Sequence, residues 1–403
     1  MVSLNKIIQA KITIGHFVNK TPFAFSQRLS DVSGAKIYLK EENLQRTGAY
    51  KIRGAYNKIA NLSENERKKG VVAASAGNHA QGVAISAREF GVRAVIIMPE
   101  STPLLKVGGT KDLGAEVILK GNNFDEAYEF AVTYAKEQGM TFIHPFDDEY
   151  VMAGQGTVAL EMLDEMSDLD MVVIPVGGGG LASGVASCVK QVNPNIKVVC
   201  VGAKGAPAMW QSFNAKKSIN SKSVRTIADG IAVRDASEIT LTNILECVDE
   251  FVQVDDEEIA TAILFLLERQ KIVVEGAGAA GVAALMHGKI KHKKDAKIGI
   301  VLSGGNIDVQ MLSIIIEKGL IKSARKMIIQ VTLIDKPGAL LMLTDALKTA
   351  NANIVKIDYD RFSTELEYGD ASIIITLETK GKDHQEVVAK SLRDSGFDFK
   401  QIF

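Results

Sequence analysis

Up to residue 305 the chain repeats one pattern: short Val/Ile-rich runs bounded by glycine or proline, namely GVVAAS, RAVIIMP, AEVILK, DMVVIPV, IKVVCVGA and KIGIVLSGG, each followed by a plausible amphipathic helix. Continuous apolar runs of this length suit strands buried on both faces, and helices between them suit crossover connections. A doubly wound α/β protein with parallel-rich sheets is therefore expected.

The pattern breaks near the C-terminus. After the helix-like IDVQMLSIIIEKGL and the basic joint IKSARK, the segments from MIIQVTLIDKPGALL to DFKQIF read as strand, helix, strand, strand, helix and short strand. That order is a βαββαβ ferredoxin-like module. The expected boundary lies near Ala324, giving a region 1–323 and a module 324–403.

Composition narrows the class of partner. The chain has 403 residues, 46% hydrophobic and 24% charged, enough for more than one core. Its 47 Lys and Arg against 48 Asp and Glu give a net charge of -1, which argues against nucleic acid or a membrane surface as partner and for a small-molecule substrate. The N-terminus MVSLNKIIQAKITIGHFVNKTP has no signal-peptide layout, and no later run is apolar enough to span a bilayer, so a cytoplasmic protein is expected. Cys188, Cys200 and Cys247 lack Cys-x-x-Cys spacing and read as small core residues. The six histidines form no ligand pattern, and no metal site is expected.

Four local features can carry chemistry. In VVAASAGNHAQG a strand runs into Ser75, Ala76, Gly77, Asn78 and His79 and then into a helix, whose exposed N–H groups would suit a carboxylate or phosphate. In IPVGGGGLASG four glycines, Gly177 to Gly180, separate a strand from a helix, where backbone can approach a phosphate closely. No Gly-Lys-Ser/Thr follows, which argues against nucleoside triphosphates. In GIVLSGGN, Ser303 ends a strand, where its hydroxyl can meet a ring heteroatom or cap a helix. The fourth is Lys51 in TGAYKIRGAYN, one lysine among many by local sequence alone. Together, a lysine amine, a phosphate cup, a hydroxyl at a strand end and an asparagine loop describe a pyridoxal phosphate site.

TGAYKIRGAYNKI, SAGNHAQG, GGGG and SGGN, in this order, resemble the threonine/serine dehydratases of the tryptophan-synthase-β-like (fold type II) pyridoxal enzymes, and the segment with DKPGAL resembles an ACT domain. The resemblance covers nearly the whole chain. It implies a two-domain catalytic unit, with a smaller subdomain of about 48–153 inserted in the larger one, and a regulatory ACT domain behind it. It implies Lys51 as the Schiff-base lysine and base for the Cα proton, with Gly177, Gly178, Gly179, Gly180 and Leu181 at the phosphate. It also implies Asn78 at the cofactor's phenolic oxygen, Ser303 at its pyridine nitrogen, and Ser75, Ala76, Gly77, Asn78 and His79 at the substrate carboxylate. Tyr50 stands where the family usually has phenylalanine beside the ring, and Ala49 where it has serine. Glu275 in IVVEGAGA is implied as a supporting residue near the cofactor.

The resemblance further implies dehydration and deamination of L-threonine, and also of L-serine, with pyridoxal 5'-phosphate as cofactor, in a homodimer or homotetramer. Serine racemases of this family have serine at the position of Ala76, so racemisation is expected to be negligible. Their cation-binding carboxylates are replaced here by Lys204 and Trp210. In ACT domains, the loop corresponding to Asp335, Pro337, Gly338, Ala339 and Leu340, with the strand start near Asn353, takes an amino-acid effector where two domains pair. Two rival readings are a β-replacement enzyme of the cysteine synthase type and a catalytically silent amino-acid sensor. SAGNHAQG does not match the T-S-G-N-T-G usual in the first. The intact Lys51, Asn78, glycine run and Ser303 weigh against the second.

Overall fold

All six Val/Ile-rich runs form strands in the structure, a computed structural model that describes residues 1–402; residue 403, the last of the predicted module, lies outside the described residues. In chain order the strands are β1 (Phe23–Phe25), β2 (Lys36–Glu41), β3 (Val71–Ala74), β4 (Ala94–Met98), β5 (Glu116–Leu119), β6 (Thr141–Phe142), β7 (Met171–Pro175), β8 (Lys197–Ala203), β9 (Glu250–Val254) and β10 (Lys297–Leu302). One sheet has the order β1-β2-β10-β7-β8-β9, with only β1 antiparallel to its neighbour. A second, wholly parallel sheet has the order β5-β4-β3-β6. Ligand crevices in such sheets lie beyond the carboxyl ends of the strands. The asparagine loop follows β3, the glycine run follows β7, and Ser303 follows β10.

Strand β2 is absent from the sequence expectation because charge interrupts it. It is an interior strand of the larger sheet, yet it carries Lys40, which is fully buried and donates to Glu161 Oε2 at 2.5 Å. That pair belongs to a larger cluster behind the helix Lys51–Ala60. Arg53 donates to both oxygens of Glu42, at 2.8 and 2.7 Å, and to both of Glu161, at 2.7 and 3.0 Å. Thr157 and the Asn19 carbonyl take its remaining contacts. Two cations and two carboxylates thus close on themselves with no net charge. Such a cluster offsets its desolvation only while every partner is present.

The same helix packs against the helix Glu149–Glu165 through small residues. A Cβ on Gly154 would lie 2.5 Å from the Arg53 carbonyl, and one on Gly54 would lie 2.8 Å from the Val151 carbonyl. Close backbone approach therefore seats the start of the Lys51 helix.

Contacts divide the chain into two units, Met1–Asp308 and a second from Val309 onward. In the second, the helix Val309–Lys322 precedes β11 (Lys326–Ile334), the helix Ala339–Thr349, β12 (Asn353–Asp360), β13 (Asp370–Glu378), the helix Lys382–Asp394 and β14 (Phe399–Gln401). The sheet is antiparallel, in the order β12-β13-β11-β14, the ferredoxin-like arrangement. Met327, Ile329, Val331, Leu343, Leu347, Ile373, Ile375, Val388 and Leu392 give it a core of its own. Among the described residues, no helix is long and apolar enough to cross a membrane.

Candidate active site

Lys51 is the first residue of its helix, and its Nζ donates to the Pro145 carbonyl at 2.9 Å, 5.4 Å from the centre of the Tyr50 ring. Among the described residues, no carboxylate pairs with this amine. Burial pushes its pKa down to about 8, opposed by Glu275, so about a tenth of the amine is neutral at pH 7, far more than for an ordinary lysine. Burial first, and Glu275 second, push the Tyr50 hydroxyl up, keeping it neutral.

Ala49, Tyr50 and the Ser303–Asn306 loop form one body. Ala49 bridges Gly304, the Tyr50 N–H donates to the Ser303 carbonyl at 3.1 Å, and the Gly305 N–H donates to the Gly48 carbonyl at 2.8 Å. Ser303 is buried, and its hydroxyl makes no hydrogen bond among the described residues. Asn306 ties this loop outward: its Nδ2 donates to the Thr47 carbonyl and to Asn78 Oδ1, both at 2.7 Å. Asn78 Nδ2 in turn donates to Glu275 Oε1 at 2.8 Å. The second hydrogen of that amide remains for another acceptor.

Glu275 needs the neighbouring glycines. A Cβ on Gly304 would lie 2.5 Å from its Oε1, and one on Gly230 3.1 Å away. Burial pushes its carboxyl up to about 7; the Asn78 hydrogen bond, Lys106 and Lys51 oppose this, and Asp229 adds to it.

The glycine run is packed from the protein side. A Cβ on Gly177 would lie 2.7 Å from Ile231 Cα, and one on Gly180 2.7 Å from Phe146 Cβ, while one on Gly178 would enter the Phe146 ring. Gly179 takes φ +91° as the residue before the helix Gly180–Val192. Among the described residues, the N–H groups of Gly177 to Leu181 reach no acceptor. Five acceptor-free amides at a helix start fit a phosphate group.

The amides of Asn78, His79 and Ala80, at the start of the helix Asn78–Glu89, likewise have no acceptor among the described residues, and suit a carboxylate. The Ser75 hydroxyl accepts from the Gly77 N–H at 3.2 Å, shaping this turn, in which Ala76 is partly buried. The His79 side chain does not join in: its Nε2 meets the Ile143 carbonyl at 2.8 Å, and burial, then the Lys51 charge, push its pKa down to about 3. His144 is held neutral in the same way, at about 4, with its Nδ1 accepting from the Phe146 and Asp147 N–H groups.

The segment Ile143–Asp147 carries much of the site and was not singled out from the sequence. It holds the Lys51 acceptor, the His79 acceptor and the ring against the glycine run. The signal available was the turn proline of HPFDD between a strand and a helix. Lys204 pairs with Asp255 at 3.0 Å, and Trp210 Nε1 donates to the Phe251 carbonyl at 3.2 Å.

The residues proposed for an effector do not meet within one chain. Asp335, Pro337, Gly338, Ala339 and Leu340 follow the end of β11, whereas Asn353 lies at the opposite end of the sheet. Asp335 Oδ1 accepts from the Tyr359 hydroxyl at 2.9 Å and from Arg361 at 3.2 Å, and Gly338 takes φ +87°.

The model of the family described as pyridoxal-phosphate dependent enzymes matches residues 14–304. An L-threonine ammonia-lyase from Thermotoga maritima is 48% identical over 402 residues, covering 100% of each chain. The processed form of threonine deaminase isoform 2 from Solanum lycopersicum superposes with a TM-score of 0.74 at 36% identity, over 78% of this chain and 88% of that one. Maize serine racemase superposes with a TM-score of 0.75, also at 36% identity, over 80% and 98%.

Proposed function

The chain belongs to the pyridoxal-phosphate dependent enzymes, and from that premise we propose that it converts L-threonine to 2-oxobutyrate and ammonia. The observation that carries this is the Lys51 amine, unpaired by any carboxylate among the described residues and with its pKa pushed down to about 8. It stands in a chain that matches an L-threonine ammonia-lyase from end to end.

Lys51 would hold the cofactor through its amine, the Gly177–Leu181 amides would take its phosphate, and Ser303 and Asn78 would hydrogen-bond its ring nitrogen and phenolic oxygen. Bound there, the cofactor supplies an electron sink for the pair left at Cα when its proton departs. The chain's own part is positioning and proton transfer. The Asn78 to Ala80 amides would seat the substrate carboxylate, and the Lys51 amine, in its free neutral form, would take the Cα proton. Burial suits it to that task, because an ordinary lysine would be almost wholly protonated at neutral pH. Loss of the Cβ hydroxyl, with one proton, as water leaves an enamine, which tautomerises to the imine and is hydrolysed to 2-oxobutyrate and ammonia. L-serine, lacking only the methyl group, gives pyruvate by the same steps. Lys51, with Ala76 in the asparagine loop offering no hydroxyl, leaves no second group to return a proton to Cα, so racemisation is negligible.

The C-terminal unit is proposed as a small-ligand control module. Support comes from its complete ferredoxin-like order and its separate core.

The test is release of ammonia and 2-oxobutyrate from L-threonine by purified protein with added pyridoxal phosphate, alongside Lys51→Ala. Equimolar products, lost in the variant, are expected. A Lys51-dependent cofactor absorbance without product release would overturn the reading. Sulfide-dependent product formation would favour β-replacement.

A further inference from the structure

Among the described residues the Lys51 amine has one hydrogen-bond acceptor, the Pro145 carbonyl at 2.9 Å. A proline has no N–H with which to anchor itself, so its neighbours must aim that carbonyl. Upstream, Ile143 is tied through its N–H to the Val72 carbonyl and through its carbonyl to His79 Nε2, both at 2.8 Å. Downstream, Asp148 caps the helix Glu149–Glu165, accepting from the Tyr150 and Val151 N–H groups. Between these fixed points the Phe146 and Asp147 amides have a single acceptor among the described residues, His144 Nδ1, at 3.3 and 2.7 Å. A side chain that reaches forward to amides two and three residues on is the ordinary work of an aspartate or asparagine at a turn. Here an imidazole does it.

The same ring packs the site from the other side. It stands edge-on to Phe146, with 4.6 Å between ring centres and 90° between planes, and lies 6.1 Å from Phe142 and 6.0 Å from Tyr128. Phe146 is the residue that a Cβ on Gly178 or Gly180 would strike. One side chain thus borders both the acceptor of the Lys51 amine and the ring beneath the glycine run. Nδ1 can accept only while the imidazole is neutral. Burial, helped by the Lys51 charge and opposed by Asp147 and Asp148, pushes the His144 pKa down to about 4, so the acceptor is present throughout the neutral range.

We propose that His144 is a positioning residue for the Lys51 amine: its Nδ1 holds the Phe146 and Asp147 amides, and so fixes the turn that directs the Pro145 carbonyl onto Lys51 Nζ. His144 itself touches neither substrate nor cofactor in this role. It matters to the reaction only through Lys51 as the cofactor-binding amine, the reading on which it rests.

Two variants separate the acceptor from the ring. His144→Phe keeps an aromatic edge beside Phe142, Tyr128 and Phe146 but has no acceptor, whereas His144→Asn loses the ring and offers an amide oxygen to the same two N–H groups. The measurement is competitive labelling of the full-length, cofactor-free chain with trace acetic anhydride between about pH 5 and pH 10, with Lys51 followed by mass spectrometry. It needs no substrate. The ionisable groups facing the amine are Tyr50, Glu275, His79 and His144, and because His144 is neutral neither substitution changes a charge. The unaltered chain should titrate near 8. A carbonyl accepting from the ammonium favours the charged form, so its misalignment in His144→Phe should move the Lys51 midpoint down by about one pH unit, and His144→Asn should restore it. In the holoenzyme, kcat for L-threonine should fall about tenfold or more in His144→Phe, with KM changed less, and largely recover in His144→Asn.

A Lys51 midpoint unmoved in a folded His144→Phe overturns the role, as does one displaced as far in His144→Asn as in His144→Phe. Should His144→Phe not fold, His144→Asn decides: a displaced midpoint there overturns the role, and an unmoved one shows that the acceptor suffices without the ring. The expected labelling pattern without threonine turnover keeps the role of His144 and overturns the substrate reading.

Discussion

Lys51 and Arg53 stand two residues apart on one helix, and their surroundings are opposites. Arg53 is wholly buried and saturated, with two carboxylates, a hydroxyl and a carbonyl around its guanidinium. Lys51 is set deep but keeps part of its side chain open, and among the described residues it has a carbonyl for a partner and no carboxylate. Burial alone would depress either cation. The acids around Arg53 reverse the effect and push its pKa up, whereas around Lys51 burial wins. Pairing makes the first cation an anchor, and the lack of it leaves the second an amine of lowered pKa.

The largest test of this contrast is catalytic. Lys51→Ala should lower threonine deamination by about 10³-fold or more, measured as 2-oxobutyrate release. Next comes stability. Arg53→Met strands the Glu42 and Glu161 carboxylates with Lys40 alone and should cost about 3–5 kcal/mol in urea unfolding of the cofactor-free protein. Lys51→Met should cost little or stabilise, and equal losses in the two variants would break the comparison.

A smaller effect separates the two surroundings by pH. The Glu275 carboxyl is raised from 4.5 to about 7, so the folded protein holds its proton more tightly than the unfolded chain does. Its contribution to stability is fully present below about pH 4.5 and is lost as pH rises through about 7. In the cofactor-free protein, the stability difference between the unaltered chain and Glu275→Gln should fall by about 1–3 kcal/mol between roughly pH 5 and pH 8. A flat difference would place Glu275 in contact with water. The smallest expected effect sharpens the proposed role of Lys51 as base. Ala76→Ser adds a hydroxyl in the asparagine loop, and chiral chromatography should then find a trace of D-serine from L-serine, against none from the unaltered protein.

The parts legible in the sequence share a cause. Val72–Ala74, Ile96–Met98 and Val172–Ile174 are buried on both faces, and the turns beyond such strands carry glycine, serine and asparagine where backbone must meet a ligand. Strand β2 was hidden because Lys40 serves a buried ion cluster, so its sequence has the polarity of a surface. The Pro145 acceptor was hidden because it is 94 residues from Lys51, and the Phe146 packing because a ring against a glycine run leaves no local periodicity. Asn306 stood inside a recognisable motif, but its two acceptors, 259 and 228 residues away, could be found only in three dimensions.

Asn306 also sets a rule about chain length. Its amide is fastened to Thr47 and Asn78, and the second unit begins at Val309, three residues later. Joints between units ordinarily absorb insertions and deletions, because few contacts fix the backbone on either side. This joint is fastened at its upstream end to the active site itself. Gaining or losing one residue at 307 or 308 would act on the Asn306 side chain before any slack could take it up. In lineages sharing this architecture, the spacing between the asparagine and the following helix should drift more slowly than the residues that fill it.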